Sequence, residues 1–66
     1  MFKVGDRVKI NSKFGGMYDG LTGTVKENNP TIWYVRIELD VPILLEKYDL
    51  EIKEEVFYPS ELLLIE

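Results

Sequence analysis

Gly5-Asp6-Arg7-Val8-Lys9-Ile10-Asn11-Ser12-Lys13-Phe14-Gly15-Gly16-Met17-Tyr18-Asp19-Gly20-Leu21-Thr22-Gly23-Thr24-Val25-Lys26 reads as two short strands joined by a glycine-bearing loop. Arg7 to Ile10 alternates with period two, which puts Val8 and Ile10 on one face and Arg7 and Lys9 on the other. Residues 11 to 20 carry Asn11, Ser12, three glycines and Asp19, too much turn chemistry for a regular element, and so predict a loop. The second strand, from about Leu21 to Glu27, turns Leu21, Gly23 and Val25 inward and Thr22, Thr24 and Lys26 outward. A glycine on an inward face marks a bend or the close approach of another backbone. Gly20 supplies the positive φ that the loop needs before the strand begins.

Working outward from this pair, Asn28-Asn29-Pro30 predicts a break, because proline donates nothing to a ladder. Ile32 to Leu39 is the strongest strand pattern, β-branched and aromatic, and is expected to be central. Trp33, Val35, Ile37 and Leu39 share one face of it; Tyr34, Arg36 and Glu38 share the other. Val41-Pro42 is read as its end. Asp40 to Lys53 then predicts an extended, hairpin-like excursion, since Ile43 to Tyr48 is too short for an autonomous helix. Glu54 to Tyr58 returns as a strand, Pro59-Ser60-Glu61 forms a tight 3-10 turn, and Leu62 to Ile65 closes the sheet.

Five short strands in one small domain leave two exposed edges, and closing the sheet into a barrel removes them. The fold class expected is therefore all-β, a five-stranded small barrel over residues 1 to 66. Its core is expected to draw on Val4, Val8, Ile10, Leu21, Val25, Trp33, Val35, Ile37, Val56, Leu62 and either Leu64 or Ile65.

Composition narrows the chemistry. The 66 residues contain no cysteine and no histidine, which removes disulfides, thiol nucleophiles and imidazole acid/base catalysis. A chain this short buries only about 60% of the surface its unfolded form exposes, and the interior of so small a barrel is filled by side chains. No enzyme, metal site or cofactor is expected. Asp49, Glu51, Glu54 and Glu55 cluster in sequence but match no calcium loop and read as a solvated rim. The glycines fit neither a phosphate loop nor a dinucleotide fingerprint. With no apolar run of membrane-spanning length and no apolar leader after Met1, a cytoplasmic location is the expectation.

The net charge is −4, which argues against sequence-independent nucleic-acid binding. It is unevenly spread: residues 1 to 26 carry +3 and residues 27 to 66 carry −7. The preferred reading is that both halves are ordinary solvated faces; the alternative is a basic and an acidic side.

Gly16, Gly20, Gly23 and Val25, preceded by Gly5 to Ile10, have the spacing of the KOW motif, and Phe57 to Leu62 resembles the turn before the last strand of SH3-like barrels. The chain thus resembles SH3-like small barrels of the KOW type over about a third of its length. The resemblance implies an SH3-like barrel and, in ribosomal and transcription-elongation relatives, contact with nucleic acid; similar layouts occur in small subunits that dock on larger proteins. Asp19 stands where a KOW domain commonly carries a basic residue, and an aspartate repels phosphate.

Three functional expectations follow. The first is a non-catalytic protein-interaction module that docks on a larger partner through Phe14, Met17, Tyr18, Tyr34 and Tyr58, residue types that interface cores favour. Against it stands the equal alternative that Phe14 or Tyr18 folds back to plug the barrel. The second is a KOW-like domain touching RNA or DNA through Arg7, Lys9, Lys13, Lys26 and Arg36. The third is an accessory or inhibitor protein presenting its acidic half to a nucleic-acid-binding enzyme. Leu62 to Ile65, four apolar residues in a row, reads either as a last strand covered by a second copy in a homodimer or as a core strand buried on both sides.

Overall fold

The computed structural model describes residues 2–12, 16–29, 31 and 34–65. Trp33 of the expected core, and Lys13 and Phe14 of the expected sites, lie outside them. The described chain forms β1 (Arg7–Ile10), β2 (Thr22–Asn29), β3 (Tyr34–Leu45), β4 (Leu50–Phe57) and β5 (Leu62–Ile65), with a 3-10 turn η1 (Glu46–Tyr48) between β3 and β4 and another, η2 (Pro59–Glu61), before β5. All pairings are antiparallel, in one sheet of order β4-β3-β2-β1-β5.

The sheet is open. β4 and β5 are its edges, and no ladder among the described residues joins them, so the expected closure into a barrel is not made. It is nevertheless strongly curled, as the short link between its edges requires. In a flat sheet four interstrand gaps would hold those edges about 19 Å apart, whereas a three-residue 3-10 turn advances only about 6 Å. β4 is followed within five residues by β5, and the sheet bends to let it happen.

Three local features supply that bend. The β2–β3 register shifts between Val25 and Glu27, and the β3–β4 register shifts between Glu38 and Ile43; such irregularities increase twist. The third is Gly23, opposite Val8 on one side and Leu39 on the other. A Cβ there would stand 2.6 Å from Ile37 Cγ2 and overlap the Glu38 carbonyl, so the inward glycine read from the sequence does mark a close backbone approach.

Val8, Ile10, Val25, Val35, Ile37, Leu39, Phe57 and Leu62 are buried together on the concave face, with Phe2, Tyr18, Leu21, Ile43 and Ile52 packed against them. Three expected core residues are elsewhere. Val4 is exposed, in the turn ahead of β1, and Phe2 packs on the core instead, its carbonyl held by Asn28 Nδ2 at 2.7 Å. Val56 pairs with Arg36 on the convex face while Phe57, opposite Val35, enters the core; a one-residue shift exchanges the two faces of a strand. Leu64 lies on the concave side, opposite buried Val8, yet is 60% exposed, because β5 is an edge with no strand beyond it. Ile65 is half-buried.

Strand lengths also differ from expectation. β2 continues through Asn28 and Asn29, which pair with Val35 and Tyr34, and β2 rather than β3 is central in the sheet order. β3 does not stop at Pro42 but runs on to Leu45. The register shift between Glu38 and Ile43 leaves Pro42 outside the ladder, the kind of position at which a strand tolerates proline. The expected hairpin-like excursion is the outer part of β3 and β4, turned by η1.

Candidate functional site

η2 shapes one of the concavities of the sheet. Tyr58 carbonyl accepts from the Glu61 N–H at 2.9 Å, and Glu61 Oε1 accepts from the Tyr58 N–H at 3.0 Å. Pro59 opens the turn with a φ already suited to it. This reciprocal clamp fixes Tyr58 at the end of β4, where it is 64% exposed. Tyr34, Val56, Phe57, Tyr58 and Glu61 line a groove of about 240 Å³. Tyr34 comes from the start of β3 and, by the β3–β4 register, stands next to Val56 and Tyr58 on the convex face. Two tyrosines and a valine, with one carboxylate at the rim, make an apolar strip with polar tips.

Tyr18 takes the other role left open by the sequence. It is half-buried and packs edge-on against Phe57, with ring centroids 5.4 Å apart and planes at 82°. Its hydroxyl donates to Glu55 Oε2 at 3.0 Å. Burial, reinforced by the adjacent Glu55 carboxylate, raises the Tyr18 pKa above the ordinary tyrosine value. Tyr18 therefore caps the core and backs Phe57, a residue that also borders the groove. Met17, beside it in the turn Met17–Gly20, is exposed and does not line the groove. The turn is fixed by the Gly20 N–H donating to the Ile10 carbonyl at 2.8 Å and by Asp19 Oδ1 accepting from the Ser12 N–H at 3.1 Å.

Both arginines of the expected basic set are engaged by carboxylates. Arg7 donates through Nη1 to Thr24 Oγ1 at 2.8 Å and to Asp40 Oδ1 at 2.6 Å, and through Nη2 to Asp40 Oδ2. Thr22 Oγ1 donates to the same carboxylate at 2.6 Å. The Arg7 and Thr22 hydrogen bonds lower the Asp40 pKa to about 2. Arg36 lies between Glu54, at 2.5 Å, and Glu27, at 3.5 Å. Both arginines are thus turned toward carboxylates, while Lys9 and Lys26 are exposed. Of the acidic cluster, Glu51 meets Lys53 at 3.4 Å, Glu54 meets Arg36, and Glu55 meets Tyr18. Among the described residues no three acidic side chains converge as metal ligands would, and no helix is long and apolar enough to cross a membrane.

One exposed feature went unread in the sequence. Val41, Leu44, Tyr48 and Leu50 stand out on the outer β3–β4 hairpin. Apolar alternation in Ile43 to Ile52 was visible, but a strand pattern does not say whether a second layer covers it.

Fold and site together define a class: a small all-β protein of one curled five-stranded antiparallel sheet, with an aromatic groove on its convex face. Compared with protein-family models, curated proteins and solved structures, the chain matches none of them.

Proposed function

We propose that this chain is a non-catalytic protein-interaction module of SH3-like topology that docks on a larger partner through the groove of Tyr34, Val56, Phe57 and Tyr58. The single observation that carries the reading is that groove, in which exposed Tyr58, its backbone anchored by the Tyr58–Glu61 clamp, stands beside half-buried Tyr34. Tyrosine offers large contact area at low cost in conformational entropy, and central aromatic residues dominate binding energies. The sheet order and the 3-10 turn before β5 support the SH3-like reading. The engagement of Arg7 and Arg36 with carboxylates favours a protein partner over a phosphate backbone.

The test is a pull-down with the tagged chain, with and without nuclease, followed by calorimetry with the purified partner. Tyr34→Ala and Tyr58→Ala, each checked for an intact fold by near-ultraviolet circular dichroism, are expected to weaken binding roughly tenfold or more. Unchanged affinity in both folded variants overturns the groove. Loss of every partner on nuclease treatment overturns the protein-docking reading in favour of nucleic-acid contact.

A further inference from the structure

The outer β3–β4 hairpin extends beyond the rest of the sheet. The β2–β3 ladder begins at Gly23 and Leu39, whereas β3 and β4 go on to pair Ile43 with Ile52, Leu44 with Glu51 and Leu45 with Leu50. Those outer pairs form a two-stranded arm, and the described chain is correspondingly long, 36 × 23 × 20 Å. Two strands alone are marginal in water, yet this arm leaves Leu44 64% and Tyr48 70% exposed, with Val41 and Leu50 beside them. Leu44, opposite Glu51, and Leu50, opposite Leu45, lie on opposite faces of the arm, and exposed apolar side chains of this kind mark a surface that is covered in use.

Carboxylates line the arm's depression, although the arm also carries Lys47, over the Tyr48 ring, and Lys53, on Glu51. Leu44, Leu45, Leu50, Glu46, Asp49 and Glu51 line one shallow depression on the arm. Glu46 and Asp49 make no ion pair with any described residue. The complementary surface is apolar and flanked by lysine.

The same chain carries such a surface. Leu63, half exposed, lies directly opposite Lys9 on the convex face of β5 and β1, and Lys9 is exposed and unpaired among the described residues. Lys9 pairs in turn with Thr22. Thr22 bonds Asp40, the residue just before the arm. Leu63, Lys9, Thr22 and Asp40 therefore form a row across the sheet that ends at the root of the arm, so the two complementary patches occupy the same end of the molecule. One two-fold axis can then satisfy both at once, giving a closed pair instead of an open filament.

We propose that the chain pairs with a second copy of itself, each copy laying its acidic, leucine-bearing arm over the Leu63–Lys9 patch of the other. The pairing leaves the Tyr34–Tyr58 groove free and goes beyond the docking function proposed above.

Sedimentation equilibrium of the full chain, from about 1 µM to about 1 mM, tests it. A concentration-dependent dimer is expected, weakened by salt because part of the attraction is between exposed charges. Leu44→Ser with Tyr48→Ser, outside the core, should weaken it roughly tenfold or more. Lys9→Glu should also weaken it, and adding Glu46→Lys and Asp49→Lys to Lys9→Glu should restore it; Tyr58→Ala should leave it unchanged. A monomer at every concentration overturns the proposal. So does failure of the charge exchange to restore pairing, or a dimer indifferent to the arm variants but lost with Leu64→Lys, which would place the contact at the free β5 edge.

Discussion

Arg7 and Asp40 meet across a strand that belongs to neither of them: the guanidinium on β1 reaches over Thr24 of β2 to the carboxylate on β3. The contact ties three neighbouring strands on the convex face, at the root of the arm, and Thr22 holds the same carboxylate from below. Its effect on stability has a defined pH window. The Asp40 pKa is lowered to about 2 in the folded chain, so the contribution is fully present above the unfolded aspartate value near 4 and lost as pH falls toward 2. The difference in melting temperature between the native chain and Asp40→Asn is expected to be constant from about pH 7 to pH 5 and to shrink below about pH 4. A difference that stays level down to pH 2 contradicts the assignment. Because the pair is exposed, added salt should reduce the same difference at neutral pH.

Gly23 carries the clearest constraint in the sheet. Its missing Cβ makes room for the Glu38 carbonyl and Ile37 Cγ2, and a carbonyl inside a ladder has no rotamer by which to withdraw. Gly23→Ala is therefore expected to destabilise by about 3 kcal/mol, the upper end of overpacking costs, or to unfold a domain whose total stability is only a few kcal/mol. Urea titration followed by tryptophan fluorescence measures it. Gly5, with nothing within 4 Å of its would-be Cβ but a φ of +96°, provides the contrast: Gly5→Ala costs backbone strain alone, about 1 kcal/mol.

Tyr18 gives a prediction on the alkaline side. Its hydroxyl bond to Glu55 and its packing on Phe57 favour the protonated phenol. The stabilisation is present below the unfolded tyrosine pKa near 10 and is lost as pH rises through the higher folded value. Tyr18→Phe keeps the ring and removes the bond. It should cost about 1 kcal/mol at neutral pH, and its deficit against the native chain should diminish above about pH 10. A deficit unchanged at pH 11 is the outcome that rules this out.

Which parts of this architecture were legible depended on whether the signal was local. β1, the inward face of β2, the 3-10 turn at Pro59 and the close approach at Gly23 each follow from a few adjacent residues, and each is found. What failed was set by partners far away in sequence. Pro42 reads as a strand end until the register shift between Glu38 and Ile43 is known. Closure into a barrel seemed the remedy for free edges, but curling brings the edges near enough for η2 to connect them without a ladder between β4 and β5. In the site, Tyr34 was identifiable as an aromatic off the core face, whereas Tyr58 shares a face with Val56, which the sequence placed in the core. The assignment of Tyr18 to the core turns on Glu55, 37 residues away, and no local pattern contains it.

Val56 and Phe57 put the same point to a direct test. Both are apolar and adjacent, so alternation alone cannot choose which of them faces inward; the pairing of Phe57 with Val35 does. Phe57 is 6% exposed and Val56 44%, and Phe57 also supports Tyr18 and borders the groove. Phe57→Ala is expected to cost about 3 to 5 kcal/mol, enough to leave the chain unfolded at 25 °C. Val56→Thr keeps the β-branched shape that suits a strand and is expected to shift stability by no more than about 0.5 kcal/mol, as exposed substitutions do. If instead Val56→Thr unfolds the chain and Phe57→Ala leaves it folded, β4 pairs one residue out of the register described, and the convex groove with its two tyrosines would be turned into the core.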